Sequence, residues 1–430
     1  MSSIAAAALI TEDFMVPAHD TGIEIFVRNK RPAQMRVFDP ARTVLFVHGA
    51  TYPAHTTFDL PIEGRSWMDH IAARGYDVYL LDLRGYGKST RPVEMAQSPD
   101  ANPPIVRTET AVRDIAAVVD FILARRNIPR LVLLGWSWGT FSTPAYTIAH
   151  PDKVARLVLY APIWIGQTGR LAQAEGGRIP AYRTVTREQA SARWFNGVPE
   201  PEKASLIPPG VFDAWVQATW ATDPEGANQN PPVIRAPNGV MADVAATWWV
   251  GKPYYDPAKI TVPVLLVTAA WDSDVPPSMA RALLPLLVNA PEKHLIELPR
   301  GTHSVMMETH RFALFDAVQK FLDEGGAQPA DGAAGEIAAM TTRTYRLLGA
   351  DGRWFESPSK GLFGGNARLK IYGRLDCPSA LRAIRRGPTY AGHRVFFADE
   401  ASAIAAGFRP CGACMRDAYR KWKSERIGER

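Results

Sequence analysis

Gly135-Trp136-Ser137-Trp138-Gly139 follows directly on Leu131-Val132-Leu133-Leu134. An apolar run that ends in G-x-S-x-G delivers a serine from a buried strand onto a sharp strand-to-helix turn. The two glycines suit a turn too tight for side chains, and the serine between them takes a strained backbone conformation. Its hydroxyl then stands at the mouth of a pocket, within reach of a base and of a substrate carbonyl. Small residues follow from Thr140 to Ala149, as the helix after such a turn requires. The bare motif recurs by chance, so the flanking strand and helix carry its meaning.

Apolar runs bounded by turn residues recur on both sides of it. They are Ile23–Val27, Thr43–Val47, Tyr76–Leu81, Leu157–Tyr160, Val262–Thr268 and Lys293–Leu298. Thr108–Arg125 repeats apolar residues at Val112, Ile115, Ala116, Val119 and Ile122, which is a helical period. Near-continuous apolar strands alternating with helices predict an α/β fold, with a mostly parallel sheet covered on both faces. The rhythm breaks between Pro162 and Pro257, where no clear strand is evident. Six of the twelve tryptophans fall there: Trp164, Trp194, Trp215, Trp220, Trp248 and Trp249. This stretch reads as a helical cap over about residues 163–258. Most of its tryptophans are expected in the cap's own core, with others free to line an apolar pocket.

A serine hydroxyl is a poor nucleophile until a neighbouring base takes its proton, and that base needs an orienting acid. On a nucleophile elbow the acid and then the histidine come later in the chain, each in a loop after a strand. After Val262–Thr268 comes Ala269-Ala270-Trp271-Asp272-Ser273-Asp274-Val275-Pro276, and after Lys293–Leu298 comes Pro299-Arg300-Gly301-Thr302-His303. Ser137, Asp272 and His303 therefore arrive in the required order at the strand ends where open α/β sheets bind ligands. His294 begins a strand and His310 falls in a helical pattern, so neither occupies the expected loop. Asp274 is the fallback acid, otherwise a loop cap.

With His48-Gly49-Ala50 and Asp82-Leu83-Arg84-Gly85-Tyr86-Gly87-Lys88-Ser89 added, residues 20–323 resemble the α/β-hydrolase superfamily. That resemblance implies a doubly wound sheet with a helical cap, and a serine hydrolase acting on an ester or amide. It selects Asp272, four residues before Pro276, as the acid. It also implies an oxyanion hole at the backbone N–H groups of Ala50 and Trp138, worth about 3 kcal/mol each. His48 is expected to shape the oxyanion loop, and Asp82 and Arg84 to brace loops. Thr51, Tyr52 and Trp136 are candidate substrate contacts. The aromatic cap suggests a small to medium apolar substrate, and the superfamily also uses the same triad for peroxidase, lyase and carbon–carbon hydrolase chemistry.

The composition, with 47% apolar and 21% charged residues, is that of an ordinary globular protein, and no run is long and apolar enough to cross a membrane. Three cysteines in 430 residues argue against a disulfide framework and for a reducing, cytoplasmic setting. The net charge of +6 is uneven: Met1–Met340 holds 31 basic and 35 acidic residues, Thr341–Arg430 holds 18 and 8. Residues 325–340 have a linker composition, Gly-Gly-Ala-Gln-Pro-Ala-Asp-Gly and onward. They separate a domain over 1–324 from a basic module over 341–430.

All three cysteines lie in that module, as Cys377 and a Cys411-Gly412-Ala413-Cys414 pair. Two thiolates on one turn plus further ligands suit tetrahedral zinc, and a redox pair or buried free thiols are the alternatives. Tyr372-Gly373-Arg374-Leu375-Asp376-Cys377-Pro378, Val395-Phe396-Phe397 and Ala405–Cys414 resemble the zinc domain of Ada-type DNA-methylphosphotriester repair proteins, over about residues 351–421. Matched by position, Cys377, Cys411 and Cys414 are zinc ligands, while the methyl-accepting cysteine falls at Gly373. Methyl transfer to that position is therefore unavailable, and His393 is the candidate for the vacated place. The zinc is expected to be structural, and hydrolysis to need no cofactor. The module's arginines suggest weak, salt-dependent attraction to nucleic acid. A second reading makes the whole chain a nucleic-acid or partner-binding protein, with the hydrolase fold as scaffold.

Overall fold

The structure, a computed structural model, describes residues 8–165, 178–324, 345–357, 361–375, 377–385 and 393–427. The chain divides into two compact units, Met1–Pro329 and Ala330–Arg430. The 325–340 linker lies outside the described residues.

Among the described residues, ten strands belong to the first unit: β1 (Leu9–Pro17), β2 (Glu24–Pro32), β3 (Thr43–Val47), β4 (Asp77–Leu81), β5 (Leu131–Trp136), β6 (Val154–Tyr160), β7 (Tyr182–Thr186), β8 (Val233–Pro237), β9 (Val264–Ala269) and β10 (Lys293–Leu298). Eight of them form one sheet in the order β1-β2-β4-β3-β5-β6-β9-β10. Only β2 runs against its neighbours; every pairing from β4 to β10 is parallel. Strands β3, β4, β5 and β9 are buried along their whole length, as their unbroken apolar runs require. β10 is mostly exposed and β1 alternates, because both are edges. β1 escapes a reading by pattern: Glu12 and Asp13 interrupt its apolar residues, and it is held by nine pairings to β2.

Helix Thr108–Arg126 covers the sheet and ends at Asn127, which is left-handed at φ 51°. Arg126, near its C-terminus, is buried against β2 and β4. Its Nε donates to Asp77 Oδ2 at 2.7 Å, its Nη2 donates to Asn29 Oδ1 at 3.0 Å, and Asn29 Nδ2 donates to Asp77 Oδ1 at 2.7 Å.

The cap between β6 and β9 corrects the all-helical expectation. It contains helices Arg187–Trp194, Glu200–Leu206, Val211–Trp220 and Gly239–Ala246, and also the antiparallel pair β7–β8. The two strands are short and far apart in sequence, so neither leaves a local signature. Trp194, Trp215 and Trp220 pack edge to face, with ring centroids 5.2 and 6.0 Å apart. Trp164 and Trp248 are also buried, and the Trp249 side chain lies outside those described.

In the second unit, β11 (Tyr345–Leu348) pairs with β12 (Trp354–Ser357). A separate four-stranded sheet has the order β15-β13-β14-β16, from β13 (Phe363–Asn366), β14 (Ile371–Arg374), β15 (Arg394–Phe397) and β16 (Arg409–Pro410). Leu348, Tyr372, Val395, Phe397, Ala403 and Phe408 form its core. No helix among the described residues is long and apolar enough to cross a membrane.

Removing Asp77 would strand the Arg126 charge in the interior. Asp77→Ala is expected to lower the unfolding free energy by about 3–5 kcal/mol, read from urea denaturation, well beyond an ordinary surface truncation.

Candidate active site

Ser137 sits between β5 and the helix Gly139–Ala149, with a left-handed φ of 54°. An L-residue tolerates that conformation only where its surroundings enforce it. The enforcement is visible at both flanking glycines. A Cβ on Gly135 would lie 2.4 Å from the Gly139 carbonyl oxygen, and one on Gly139 would lie 2.6 Å from that of Val47. Backbone cannot yield as a flexible side chain can, so both positions exclude any larger residue.

Three loops meet at this turn. His303, five positions past β10, brings Nε2 to 2.8 Å from Ser137 Oγ. Its Nδ1 lies 2.8 Å from Asp272 Oδ2, in the loop after β9. The other Asp272 oxygen accepts backbone N–H groups from Asp274 at 3.0 Å and Val275 at 2.8 Å, which fixes the carboxylate. Asp274 turns to the cap instead, where Arg193 Nε donates to it at 2.5 Å. His294 stays within β10 against Phe321, and His310 lies beside Arg300, so neither histidine belongs to this cluster.

The oxyanion-loop candidates lie against the serine. A Cβ on Gly49 would come within 2.9 Å of Ser137 Cβ. The next peptide is held by its carbonyl: Ala50 O accepts from Tyr86 Oη at 2.8 Å and from Arg183 Nη2 at 2.6 Å. Trp138 is wholly buried, and its indole N–H donates to Thr108 Oγ1 at 2.8 Å. His48 links this loop to the end of β4. Leu83 N–H donates to its Nε2 at 3.0 Å, and its Nδ1 lies 2.7 Å from Gly49 O. A neutral ring with the proton on Nδ1 satisfies both contacts. Burial pushes the His48 pKa down to about 4, which keeps the ring neutral. Asp82 holds His55 at 2.6 Å and Arg84 pairs with buried Asp114, both bracing the loops after β4.

Thr51, Tyr52 and Trp136 all line the small cavity over Ser137, as do Trp194, Trp215 and Arg193. Trp136 also has a second task, since its indole N–H donates to His303 O at 3.0 Å. Thr51 Oγ1 accepts from Arg183 at 2.9 Å and Arg193 at 3.3 Å. The cavity measures about 20 Å³ and has both an aromatic wall and a charged one, the Arg193–Asp274 pair. The cap tryptophans therefore divide: Trp194 and Trp215 serve core and cavity together.

Several residues of this site have no signal in the sequence. Arg183 and Arg193 come from the cap, and Tyr160 Oη donates to His303 O at 2.9 Å from the end of β6. Glu308 is buried behind the histidine loop, accepting Thr302 N–H at 3.1 Å and Trp194 Nε1–H at 2.9 Å. Burial outweighs these donors and raises its pKa to about 7.

The chain belongs to the alpha/beta hydrolase family, whose profile matches residues 44–318. Among curated proteins it is similar to a probable proline iminopeptidase of Leptolyngbya boryana, 24% identical over 65% of this chain and 87% of that protein. It is also similar to the 2-hydroxy-6-oxononadienedioate/2-hydroxy-6-oxononatrienedioate hydrolase of Escherichia coli K12, 35% identical over 21% of this chain and 27% of that one. A thermophilic esterase of Thermogutta terrifontis aligns in structure with a TM-score of 0.49 and 19% identity, over 73% of this chain and 99% of its own. The family and the curated relatives support hydrolytic activity.

In the second unit, Cys377, Cys411 and Cys414 converge, with their sulfurs all within 4.8 Å of one another. His393 is not among them, which corrects the expectation that it fills the fourth place. It is exposed at the start of β15, the far edge of the sheet, with β13 and β14 between it and β16. Its carbonyl instead accepts from Ala367 N at 2.9 Å. Cys411 follows β16, whereas a Cβ on Gly373 of β14 would sit 2.6 Å from Cys414 Sγ.

The buried neutral His48 gives stability a definite pH dependence. An unfolded histidine binds a proton near pH 6.5 while the folded one resists until about pH 4, so stability falls on acidification through that window. His48→Gln is expected to flatten the stability–pH profile between those limits by about 1.4 kcal/mol per pH unit, measured by urea titrations at several pH values.

Proposed function

We propose that the chain is a serine hydrolase that cleaves an ester or amide through an acyl-enzyme. The hydrogen-bonded line from Ser137 through His303 to Asp272 carries this reading. Ser137 Oγ attacks the acyl carbon as His303 Nε2 takes its proton. Asp272 holds Nδ1–H and balances the imidazolium that forms. The N–H groups of Ala50 and Trp138 receive the charge that develops on the carbonyl oxygen. His303 then returns the proton to the leaving group, and water releases the acid by the same steps. The aromatic wall suits an apolar acyl or leaving group, for which the cavity of about 20 Å³ must widen on binding. The Arg193–Asp274 wall suits a polar substituent on it.

A fluorophosphonate probe is expected to label the wild type and not Ser137→Ala; equal labelling of the two would sink the assignment. Asp272→Asn is expected to lower kcat by roughly 10⁴-fold on any ester the wild type turns over. A panel of acyl esters together with an N-terminal prolyl amide, after the iminopeptidase name of the Leptolyngbya boryana relative, separates esterase from iminopeptidase. No turnover anywhere on the panel favours the scaffold reading.

For the second unit we propose a zinc ion held by the thiolates of Cys377, Cys411 and Cys414. Two sulfurs each about 2.3 Å from a tetrahedral ion are about 3.8 Å apart. Cys377 and Cys411 Sγ are separated by 3.8 Å, which matches that spacing, and Cys414 Sγ lies within 4.8 Å of both. Bound there, zinc supplies a structural crosslink for a small core. Elemental analysis is expected to find about one zinc per chain, with marked loss in Cys411→Ser; wild-type protein free of zinc after growth in zinc-replete medium contradicts it.

A further inference from the structure

We infer that Arg193 is the gate of the cavity over Ser137, and that its ion pair with Asp274 sets how long a substrate the site accepts. This rests on the serine-hydrolase reading above and adds a specificity-determining residue to it. The cavity as it stands measures about 20 Å³, room for about one water molecule. A substrate enters only if part of the wall moves. Of the described lining residues, only Ala50, Arg193, Asp274 and Ser304 are not buried, so these four form the mouth. Ala50 is held through its carbonyl by Tyr86 and Arg183, and Ser304 N–H donates to Thr302 Oγ1 at 3.2 Å. Arg193 and Asp274 close the rest, with Nε donating to Oδ2 at 2.5 Å.

The backbone beside this pair is fixed, and the arginine side chain is not. A Cβ on Gly197 would lie 2.6 Å from the Trp271 carbonyl oxygen, and Ser273 Oγ donates to Asn196 O at 3.2 Å. The turn after helix Arg187–Trp194 is thereby pressed against the loop after β9. The Arg193 side chain, by contrast, is 37% exposed and long enough to swing its guanidinium into solvent. It also gives up a hydrogen bond from Nη1 to Thr51 Oγ1 at 3.3 Å, but Thr51 keeps its bond from Arg183 at 2.9 Å. The mouth therefore opens by one side chain, with the cap in place. Opening costs an ion pair whose carboxylate is only 12% exposed and so is weakly screened by water. A short acyl group lies beside Ser137 and lets the pair close again over it. A long one threads the mouth and holds the pair apart for as long as it is bound, so the pair selects against it.

The test uses the full chain and two fluorophosphonates that differ only in their alkyl group, methyl or octyl. The ratio of their second-order rates of labelling Ser137, octyl over methyl, is the readout. Asp274→Asn and Arg193→Gln break the pair from either side, and each is expected to raise that ratio several-fold. Arg193→Lys, which keeps the charge, is expected to stay near the wild-type ratio. Because the two pair-breaking variants are independent, one that folds is enough to read the outcome. A wild-type ratio in a folded, labelled Asp274→Asn or Arg193→Gln protein overturns the gate and leaves the serine-hydrolase reading standing. A ratio raised equally in Arg193→Lys overturns the ion pair as its cause. Wild-type protein that neither probe labels overturns the hydrolase reading, and this inference with it.

Discussion

Gly139 lies so close to the Val47 carbonyl that no side chain fits between them, and the first unit's site depends on that contact. It joins the start of a helix to the end of β3, one strand away from the serine's own β5. Ser137 is then held in a left-handed conformation it would not choose, with its hydroxyl turned out of the sheet. The same closeness brings Gly49 against the serine, so the Gly49–Ala50 loop and Ser137 share one corner. Free energy spent on the strained turn is recovered from the fully buried strands beneath it.

Around that corner the charged groups divide into those that hold the frame and those that face the cavity. Arg126 with Asp77, and Arg84 with Asp114, are buried pairs that tie helix Thr108–Arg126 to the sheet and its loops. Arg183 grips backbone carbonyls and Thr51, coupling the cap to the Ala50–Thr51 loop. Arg193 reaches the cavity and draws Asp274 away from His303, leaving Asp272 as the histidine's partner. Two aspartates in one loop thus have different tasks, set by what stands opposite each. Glu308 does for the far side of the histidine loop what Arg183 does for the Ala50–Thr51 loop, since it too ends on a cap residue, Trp194. A site whose supports reach into the cap is one whose shape follows the cap's position.

The second unit applies the same geometric principle. In the first unit glycine allows backbone to approach backbone; at Gly373 it allows a sulfur to approach backbone, since a Cβ there would lie 2.6 Å from Cys414 Sγ. His393 stands apart from the three sulfurs, because the strand order carries that residue to the opposite edge of the sheet.

The chain alone determined the alternation of apolar strands and helices, the serine turn, and the order of acid and histidine after their strands. Each of these is written in contiguous residues, as a periodicity or as a spacing from a strand end. What only the tertiary structure decided is everything that depends on residues distant in sequence. β1 shows only in its ladder with β2, and β7 and β8 only in each other. Arg183, Arg193, Tyr160 and Glu308 join the site because folding brings them there, and no local pattern marks an arginine that will meet a loop from another part of the chain. The three cysteines could be read as a set, since two share a turn. That they meet against Gly373 of β14 is a matter of strand order, which the linear chain does not display.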